Sequence, residues 1–298
     1  MGQVWGIGKR RFRGDWGKRV WLFDALVWTV MGYGVKVWGW KEREGLERMQ
    51  EKYLKWLLGV EWGTPGYMIR EELQRDKVKT RAGRRAWTFE GRLAEGKGSA
   101  LARKCWEEMR ERMERGKEIS AWERERQDFF RERGIEGNEW EKWRQGTGEE
   151  WRRMEEKEKK LQREERWEKI KCSRYNKWYW RVKKEGIPKY LKKGWEENRW
   201  LRIARYRLGG GVRERRYWWR EEDRLCRVCE GGVETWEHVW EECGRWGAVG
   251  SWQEMVEVIM GEEGEGEKWI RELERFREGG WREERGEGGM EEGVKERE

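Results

Sequence analysis

Histidine, proline and long apolar runs are scarce in this chain, and each scarcity excludes a class of structure or chemistry. The 298 residues include one histidine and two prolines. One histidine that lies among cysteines leaves no imidazole to activate a serine or cysteine nucleophile. With so little proline, and with 43% charged residues that are mostly Glu, Lys and Arg, helices meet few interruptions. We therefore predict a mainly α fold, an extended helical assembly with long charged helices.

The most apolar stretch, residues 20–40, is too short to cross a membrane as a helix. Asp24 and Lys36 leave eleven uncharged residues between them, whereas a bilayer needs about twenty. The start of the chain is basic and rich in glycine, unlike a secretory signal. Cys105 and Cys172 lie far apart and do not suggest a disulfide framework. We expect an intracellular location, nuclear or cytoplasmic, and no membrane partner.

Three of the five cysteines and the only histidine lie within eighteen positions, at Cys226, Cys229, His238 and Cys243. The spacing C-x2-C-x8-H-x4-C offers three thiolates and one imidazole, the ligand set of a closed tetrahedral zinc site. A chance cluster, or a buried cysteine pair beside a satisfied histidine, is the alternative interpretation. We predict a small knuckle that binds Zn²⁺ as its cofactor.

The chain around the histidine has its own local expectations. A glycine pair after the second cysteine supplies a turn, and Thr235 can cap a short helix that begins at Trp236. On a regular helix His238 and Cys243, five residues apart, would point about 140° away from each other. We therefore expect the helix to end before Cys243, with Gly244 as the left-handed residue that stops it.

Basic and aromatic residues alternate in residues 171–220, where seventeen Lys and Arg accompany four Glu, a net charge of +13. Basic side chains can neutralise phosphates, and exposed aromatic rings can stack on bases. The alternative is that the tryptophans fill a small core beneath the basic residues. We predict that this segment binds RNA or single-stranded DNA, chiefly through Lys183, Lys184, Lys192, Lys193, Arg213, Arg215, Arg216, Trp178 and Trp180.

The segments that follow are acidic, with a net charge of −6 over residues 221–243 and −7 over residues 244–298. Three thiolates and a neutral imidazole on Zn²⁺ add a further −1, so the knuckle would repel phosphate. We therefore expect a mainly structural role for the metal. The acidic knuckle and tail could also recruit a protein partner.

The segments expected along the chain differ in charge and apolar content. Within residues 18–75, the apolar positions in 46–60 predict an amphipathic helix packed on residues 20–40. Within residues 76–170, "SAWE" at 120–123 predicts a helix start, and residues 151–170 predict a mostly solvated rod. The segments are a basic flexible lead-in (1–17), a helical segment (18–75), a charged helical linker (76–170), the basic aromatic segment (171–220), the knuckle (221–250), and an acidic helix with a disordered tail (251–298).

No catalytic site is expected. The stretch "GRLAEGKG", residues 91–98, approaches a phosphate-binding loop, but Gly98 stands where a hydroxyl should bind magnesium. A helix junction is the better interpretation. No adjacent aspartates are present for two-metal chemistry, and no small-molecule substrate is expected.

Three stretches carry a family resemblance, namely residues 20–40, 46–73 and 226–243. Together they resemble the part of a non-LTR, jockey-like retrotransposon reverse transcriptase that lies C-terminal to its palm. The pattern of Tyr33, Gly34 and Trp38, and the Cys and His box, are its most specific parts. The resemblance implies that residues 18–75 are thumb-like, that a linker follows, and that a terminal CCHC zinc knuckle helps to handle nucleic acid.

Two departures from the family affect the expected function. The family usually has an acidic residue where this chain has Lys36, and the endonuclease and the aspartate-bearing palm are missing. The chain is therefore expected to be a non-catalytic, nucleic-acid-binding fragment of an RNA-directed DNA polymerase. The alternatives are a zinc-dependent protein-interaction module and a degenerate element product without selected function.

Overall fold

The computed structural model describes residues 2–135, 149–243 and 250–279, and these residues are mainly helical. Within them, extended pairing is limited to a single antiparallel bridge between Leu225 and Val233. The mainly α fold predicted from sequence is confirmed. Two compact units, Met1–Ser173 and Arg174–Glu298, divide the chain. Over the same described ranges, no helix combines the length and the apolar character needed to cross a membrane.

Helices make up most of the first unit, and a π-helical turn at Phe23–Val27 joins its second and third helices without a break. Its helices are α1 Gly2–Arg11, α2 Trp16–Leu22, α3 Trp28–Met31, α4 Val35–Trp38, α5 Glu44–Leu58, α6 Gly66–Glu72, α7 Val78–Ala94, α8 Ala100–Glu114, α9 Ala121–Arg131 and α10 Glu149–Lys171. The glycine-rich stretch at 91–98 lies at the junction of α7 and α8, as predicted.

The amphipathic helix α5 packs on the apolar segment before it, as the sequence predicted. The Tyr53 hydroxyl donates a 2.6 Å hydrogen bond to the Arg19 carbonyl, and the rings of Phe23 and Tyr53 are 5.0 Å apart. Leu54 and Leu57 on the same face are fully buried. Apolar contact over this face supplies the stabilisation that the periodicity implied.

The N-terminal lead-in, which the sequence suggested to be flexible, is largely helical and contacts α5. Its residues form α1, and the Trp5 ring stacks on Trp56 of α5 at 5.8 Å. A side chain at Gly8 would place its Cβ 2.9 Å from the Trp56 ring. The glycines therefore permit a close helix contact that their composition alone did not reveal.

Most described residues of the long helix α10 are exposed, as its sequence suggested, but one face of the helix is buried. Trp151 and Met154 join an apolar cluster with Trp40 and the α9 phenylalanines. On its polar side, Arg166 donates a 2.9 Å hydrogen bond to Glu71, and both side chains are buried. Counting apolar positions misses this packing, because part of the buried face is polar and is satisfied by partners far along the chain.

A buried arginine joins α7 to α9. Arg126 donates hydrogen bonds of 2.8 and 2.7 Å to Glu90 and one of 3.1 Å to Glu123. Burial raises the pKa of Glu123, although Arg126 opposes the shift. Helix α9 starts where predicted, since the Ser120 hydroxyl accepts from the Glu123 amide at 3.2 Å. The Glu123 carboxylate binds Arg126 instead of completing a capping box.

The second unit is built from shorter helices. They are α11 Tyr179–Val182, α12 Lys189–Lys192, α13 Glu197–Arg205, α14 Trp252–Ile259 and α15 Glu267–Gly279, with π-helical turns at Tyr206–Gly210 and His238–Glu242 and a 3₁₀ turn at Glu222–Arg224. Trp200 and Ile203 of α13 are buried, and so is Arg207. The Arg207 guanidinium donates to the carbonyls of Val182 and Met260, which ties α11 to the end of α14.

The substitution Arg126→Leu should destabilise the protein by about 3–5 kcal/mol, because Glu90 and Glu123 would remain buried without their cation. Urea unfolding monitored by circular dichroism measures the change. The control is Arg115→Leu, whose guanidinium pairs with Glu111 at the surface at 2.7 Å. That exposed pair should contribute less than about 0.5 kcal/mol. Equal effects of the two substitutions would contradict a special role for the buried arginine.

Candidate metal centre

Four side chains of the second unit converge on one point. Cys226, Cys229, His238 and Cys243 each offer one ligand atom, and these atoms all lie within 4.8 Å of one another. The Cys226 and Cys243 sulfurs are 4.0 Å apart, and the Cys229 sulfur is 3.0 Å from His238 Nε2. Tetrahedral bonds of about 2.0–2.3 Å place ligand atoms about 3.5–3.8 Å apart. The group could therefore hold a metal ion.

A tight loop aims the first two sulfurs inward. The Cys226 amide donates to the Gly232 carbonyl at 2.7 Å, which closes the loop through the glycine pair as predicted. Glu230 takes a positive φ of 57° within it. The amides of Val228 and Gly231 each donate to a sulfur at 3.4 Å, on Cys226 and Cys229 respectively. Such N–H groups stabilise thiolates.

A wide helical turn aligns the other two ligands. Thr235 caps the helix as predicted, because its hydroxyl accepts from the His238 amide at 2.9 Å. The turn ends at Glu242, before Cys243, but its bonding is of the π type, with the Cys243 amide donating to the His238 carbonyl at 2.8 Å. This i→i+5 bond brings residues five apart close together, which a regular α-helix would not do. The predicted stop at Gly244 lies outside the described residues.

The histidine ring is oriented by a carboxylate. His238 Nδ1 lies 2.9 Å from a Glu242 oxygen, which leaves Nε2 facing Cys229. Burial lowers the pKa of His238, but its hydrogen bonds to Glu242 and Cys229 outweigh burial and hold that pKa above its ordinary value. A carboxylate on the remote nitrogen is the usual support of a metal-bound imidazole, which must coordinate in its neutral form.

Burial opposes the ionisation of all three thiols. Burial raises the pKa of Cys226, and burial with the neighbouring Cys226 raises the pKa of Cys243 to about 12. Burial also opposes ionisation of Cys229, but hydrogen bonds from the Gly231 amide and the His238 ring hold its pKa below the ordinary value. A bound divalent cation would supply the positive charge that converts the remaining thiols to thiolates.

The loop that carries the Cys and His group is part of the second unit's core. Glu234 is fully buried and pairs with Arg227 at 2.7 Å and with Arg277 of α15 at 2.9 Å. Arg277 also donates to the Tyr206 hydroxyl at 3.0 Å. The loop is therefore attached to the C-terminal helix through a charged cluster that the sequence motif did not indicate.

Three of the residues predicted to bind nucleic acid are committed to internal contacts. The buried Lys183 ammonium donates to the Gly186 carbonyl at 2.6 Å and lies 3.8 Å from Glu262. Arg215 is buried and donates to the Tyr175 hydroxyl at 2.6 Å. Trp178 packs edge-on against Trp252 at 4.2 Å. The fold uses Lys183, Arg215 and Trp178 for its own packing, so less of these side chains is available for the nucleic-acid contacts expected of them.

The other six predicted residues reach the surface to different degrees. Lys184 and Lys192 are exposed, and Trp180 is 42% exposed. Lys193 pairs with Glu263 at 2.8 Å. Arg213 and Arg216 are half-buried; Arg213 donates to the Leu225 carbonyl at 3.1 Å, and Arg216 lies over the Trp219 ring at 3.8 Å. The predicted residues therefore differ in how much of each side chain a ligand could reach.

Acidic residues near the C terminus neutralise much of the basic segment. Arg202 pairs with Glu267 at 2.6 Å and with Glu274 at 2.7 Å. Lys189 and Lys193 both pair with Glu263, and their hydrogen bonds lower the pKa of that carboxyl to about 2. The charge of +13 in the sequence is therefore much less available to a ligand than a segment-by-segment count suggests.

Two exposed aromatic residues were missed by the sequence prediction. Tyr217 and Trp218 are 63% and 56% exposed, and their rings meet edge to face at 5.0 Å. They lie between Arg216 and Trp219, in the run "RRYWWR" at 215–220 that precedes Cys226. This run is dense in both basic and aromatic residues, and that density was the available signal.

Comparisons with family models, with curated proteins and with solved structures found no match to this chain. The functional assignment therefore depends on the residues of the chain itself.

The variant Cys229→Ser should lose bound metal, falling from one ion per chain towards zero, because a hydroxyl replaces a thiolate ligand. Elemental analysis after dialysis measures the loss, and hydrogen exchange should show reduced protection in residues 225–243. Lowering the pH should weaken metal binding in the parent protein, since protons compete for the thiolates. Cys105→Ser, at an exposed thiol, is the control and should retain its metal. Full occupancy in Cys229→Ser would contradict the ligand assignment.

The variant Glu242→Gln should weaken metal binding by about 10–100-fold, because the His238 ring loses its carboxylate support. Competition with a chelating dye measures the affinity. Glu241→Gln, an exposed neighbour whose amide oxygen can still accept from Trp252, is the matched control. Equal affinities in the two variants would show that Glu242 does not orient the ring.

Proposed function

We propose that the protein binds single-stranded RNA or DNA through an aromatic patch in its second unit, and that a structural zinc ion holds the adjoining loop in shape. The aromatic patch consists of Arg216, Tyr217, Trp218 and Trp219. The observation that carries the proposal is the exposure of the Tyr217 and Trp218 rings in a basic run a few residues before the metal ligands.

Zinc is the proposed metal because of the donor set. Three thiolates and one imidazole are typical of closed structural zinc sites, and softer thiolate ligands disfavour magnesium and calcium. All four coordination positions are then filled by the protein, so the ion has no open position for a substrate. Its proposed contribution is to fold residues 225–243 and so to fix the chain that follows the aromatic patch.

Stacking supports the choice of single strands. Exposed tryptophan and tyrosine rings offer faces to unpaired bases, and arginines beside them offer charge to phosphates. Arg216 already lies over the Trp219 ring at 3.8 Å, which holds its guanidinium at the patch. The exposed Lys184, Lys192 and Trp180 are secondary contacts in this proposal. Since most other cations of the unit are paired internally, few phosphate contacts are expected there.

The resemblance to a reverse transcriptase fits the same proposal. As a part of such an enzyme that lies after the palm, the chain would hold template or target strands for a catalytic region that it does not contain. No step of nucleotide transfer is assigned to its own residues.

A protein partner for the acidic C-terminal segment has less support from the contacts. Of the acidic residues expected to recruit a partner, Glu262, Glu263 and Glu267 already pair with Lys183, Lys189 and Arg202 within the unit. Recruiting a basic partner there would require these pairs to break. Nucleic-acid binding at the aromatic patch requires no such rearrangement.

The double variant Tyr217→Ala/Trp218→Ala should bind a short labelled single strand at least about fivefold more weakly, because each stacked base contributes about 1–3 kcal/mol. Fluorescence anisotropy at several salt concentrations measures both affinity and its salt dependence, and the slope should not change, since no charge is removed. Tyr217→Phe/Trp218→Phe keeps aromatic faces and serves as the control. If the alanine variant holds zinc and binds like the parent, the proposed interface is wrong.

A further inference from the structure

An open groove of about 790 Å³ lies in the first unit, between α7 and the turn that joins α3 to α4. Basic and hydroxyl side chains line it beside apolar surface, and they include Tyr33, Lys36, Arg85, Thr88 and Arg92. No carboxylate is among the residues that line it. In a chain with 60 acidic residues, a groove whose only charged side chains are cations has a clear preference for anions.

Three of the five cations that line the groove form a row along one face of α7. Arg81, Arg85 and Arg92 follow spacings of four and seven residues, which place them on the same side of a helix, and the row spans about 16 Å at 1.5 Å per residue. Arg81 pairs with Asp24 at 2.8 Å. Arg85 and Arg92 are exposed and have no carboxylate partner among the described residues. Two guanidinium groups in the row are therefore available to an external anion.

An exposed tyrosine stands beside this row. Tyr33 is 88% exposed and precedes Gly34, whose φ of +66° makes the turn between α3 and α4. A Cβ at Gly32 would lie 2.9 Å from the Trp28 carbonyl and 3.2 Å from Arg85 Nη1. The turn is therefore packed directly against Arg85, while the Tyr33 ring contributes no burial to the fold.

We propose that this groove is a second binding surface for single-stranded nucleic acid, in which Arg85 and Arg92 contact phosphates and Tyr33 stacks on an unpaired base. Guanidinium groups suit phosphate oxygens because they donate paired hydrogen bonds. The inference goes beyond the function proposed for the second unit, because it would hold even if the aromatic patch bound nothing.

The tyrosine favours a nucleic acid over an acidic peptide as the occupant. Both ligands would satisfy the arginines, but a base also provides a flat surface for the exposed ring. Single strands are favoured over duplexes for the same reason, since paired bases are stacked on each other. The Tyr33 ring therefore offers a stacking contact to an unpaired base, which the arginines alone would not provide.

The test uses the full zinc-loaded chain and a short labelled single strand. Arg85→Glu/Arg92→Glu should reduce affinity at least about tenfold and make the log–log salt dependence shallower by about 1.4, since each phosphate that the protein neutralises contributes about 0.7 to the slope. Lys104→Glu/Arg112→Glu on α8 makes the same change in net charge outside the groove and is the control. An affinity reduced no more than in the control would overturn the proposal.

Tyrosine variants test the stacking contact separately and do not change the charge. Tyr33→Ala should weaken binding about 5–100-fold without changing the salt slope, whereas Tyr33→Phe should bind like the parent. An unchanged affinity in Tyr33→Ala, together with equally strong binding of polyglutamate, would show that the groove takes acidic peptides and would overturn the nucleic-acid assignment. Circular dichroism confirms folding, and Arg85→Gln/Arg92→Gln replaces the charge reversal if that variant unfolds.

Repeating these measurements in the Tyr217→Ala/Trp218→Ala background separates the two surfaces. Residual binding that still depends on Arg85 and Arg92 supports the groove whatever the aromatic patch does. Residual binding that does not depend on Arg85 and Arg92 overturns only the proposal for the groove. A patch variant that binds like the parent, while the groove variants bind more weakly, contradicts the function proposed for the second unit and leaves the groove supported.

Discussion

Pairing of buried arginines with carboxylates and carbonyls is the interaction on which both units depend. A chain with 43% charged residues cannot build its interior from apolar side chains alone, and an uncompensated buried charge costs several kcal/mol. Arg126 therefore meets Glu90 and Glu123 in the first unit, and Arg277 meets Glu234 in the second. These pairs place particular helices against each other, because a guanidinium accepts partners only in a narrow range of directions.

The same pairing decides which cations remain available to a ligand. In the second unit, Glu263 and Glu267 take up lysines and arginines that would otherwise face solvent. In the first unit, α7 presents Arg85 and Arg92 to a groove that no carboxylate lines. The net charge along the sequence therefore suggests a nucleic-acid site in the second unit. The two α7 arginines without a carboxylate partner among the described residues suggest a further site in the first unit.

The metal group illustrates a division of roles between neighbouring residues. Three thiolates and a neutral imidazole around a divalent cation carry a net charge of −1, and eight acidic residues accompany them in 221–243. Phosphate is repelled by such a group. The proposed ligand contacts therefore fall on Tyr217 and Trp218, just before the loop, while the proposed ion would stabilise the loop, which Glu234 attaches to α15.

The sequence by itself determined the features that arise from local chemistry. Helix propensity specified the mainly α class, ligand spacing specified the Cys and His group, and Thr235 and Ser120 marked helix starts, because each depends on residues a few positions apart. Tertiary structure decided which face of α10 is buried, the packing of α1 on α5 and the internal contacts of Lys183 and Arg215. It also selected the π turn that brings His238 close to Cys243. These outcomes depend on partners tens of residues away along the chain, and local periodicity carries no information about such partners.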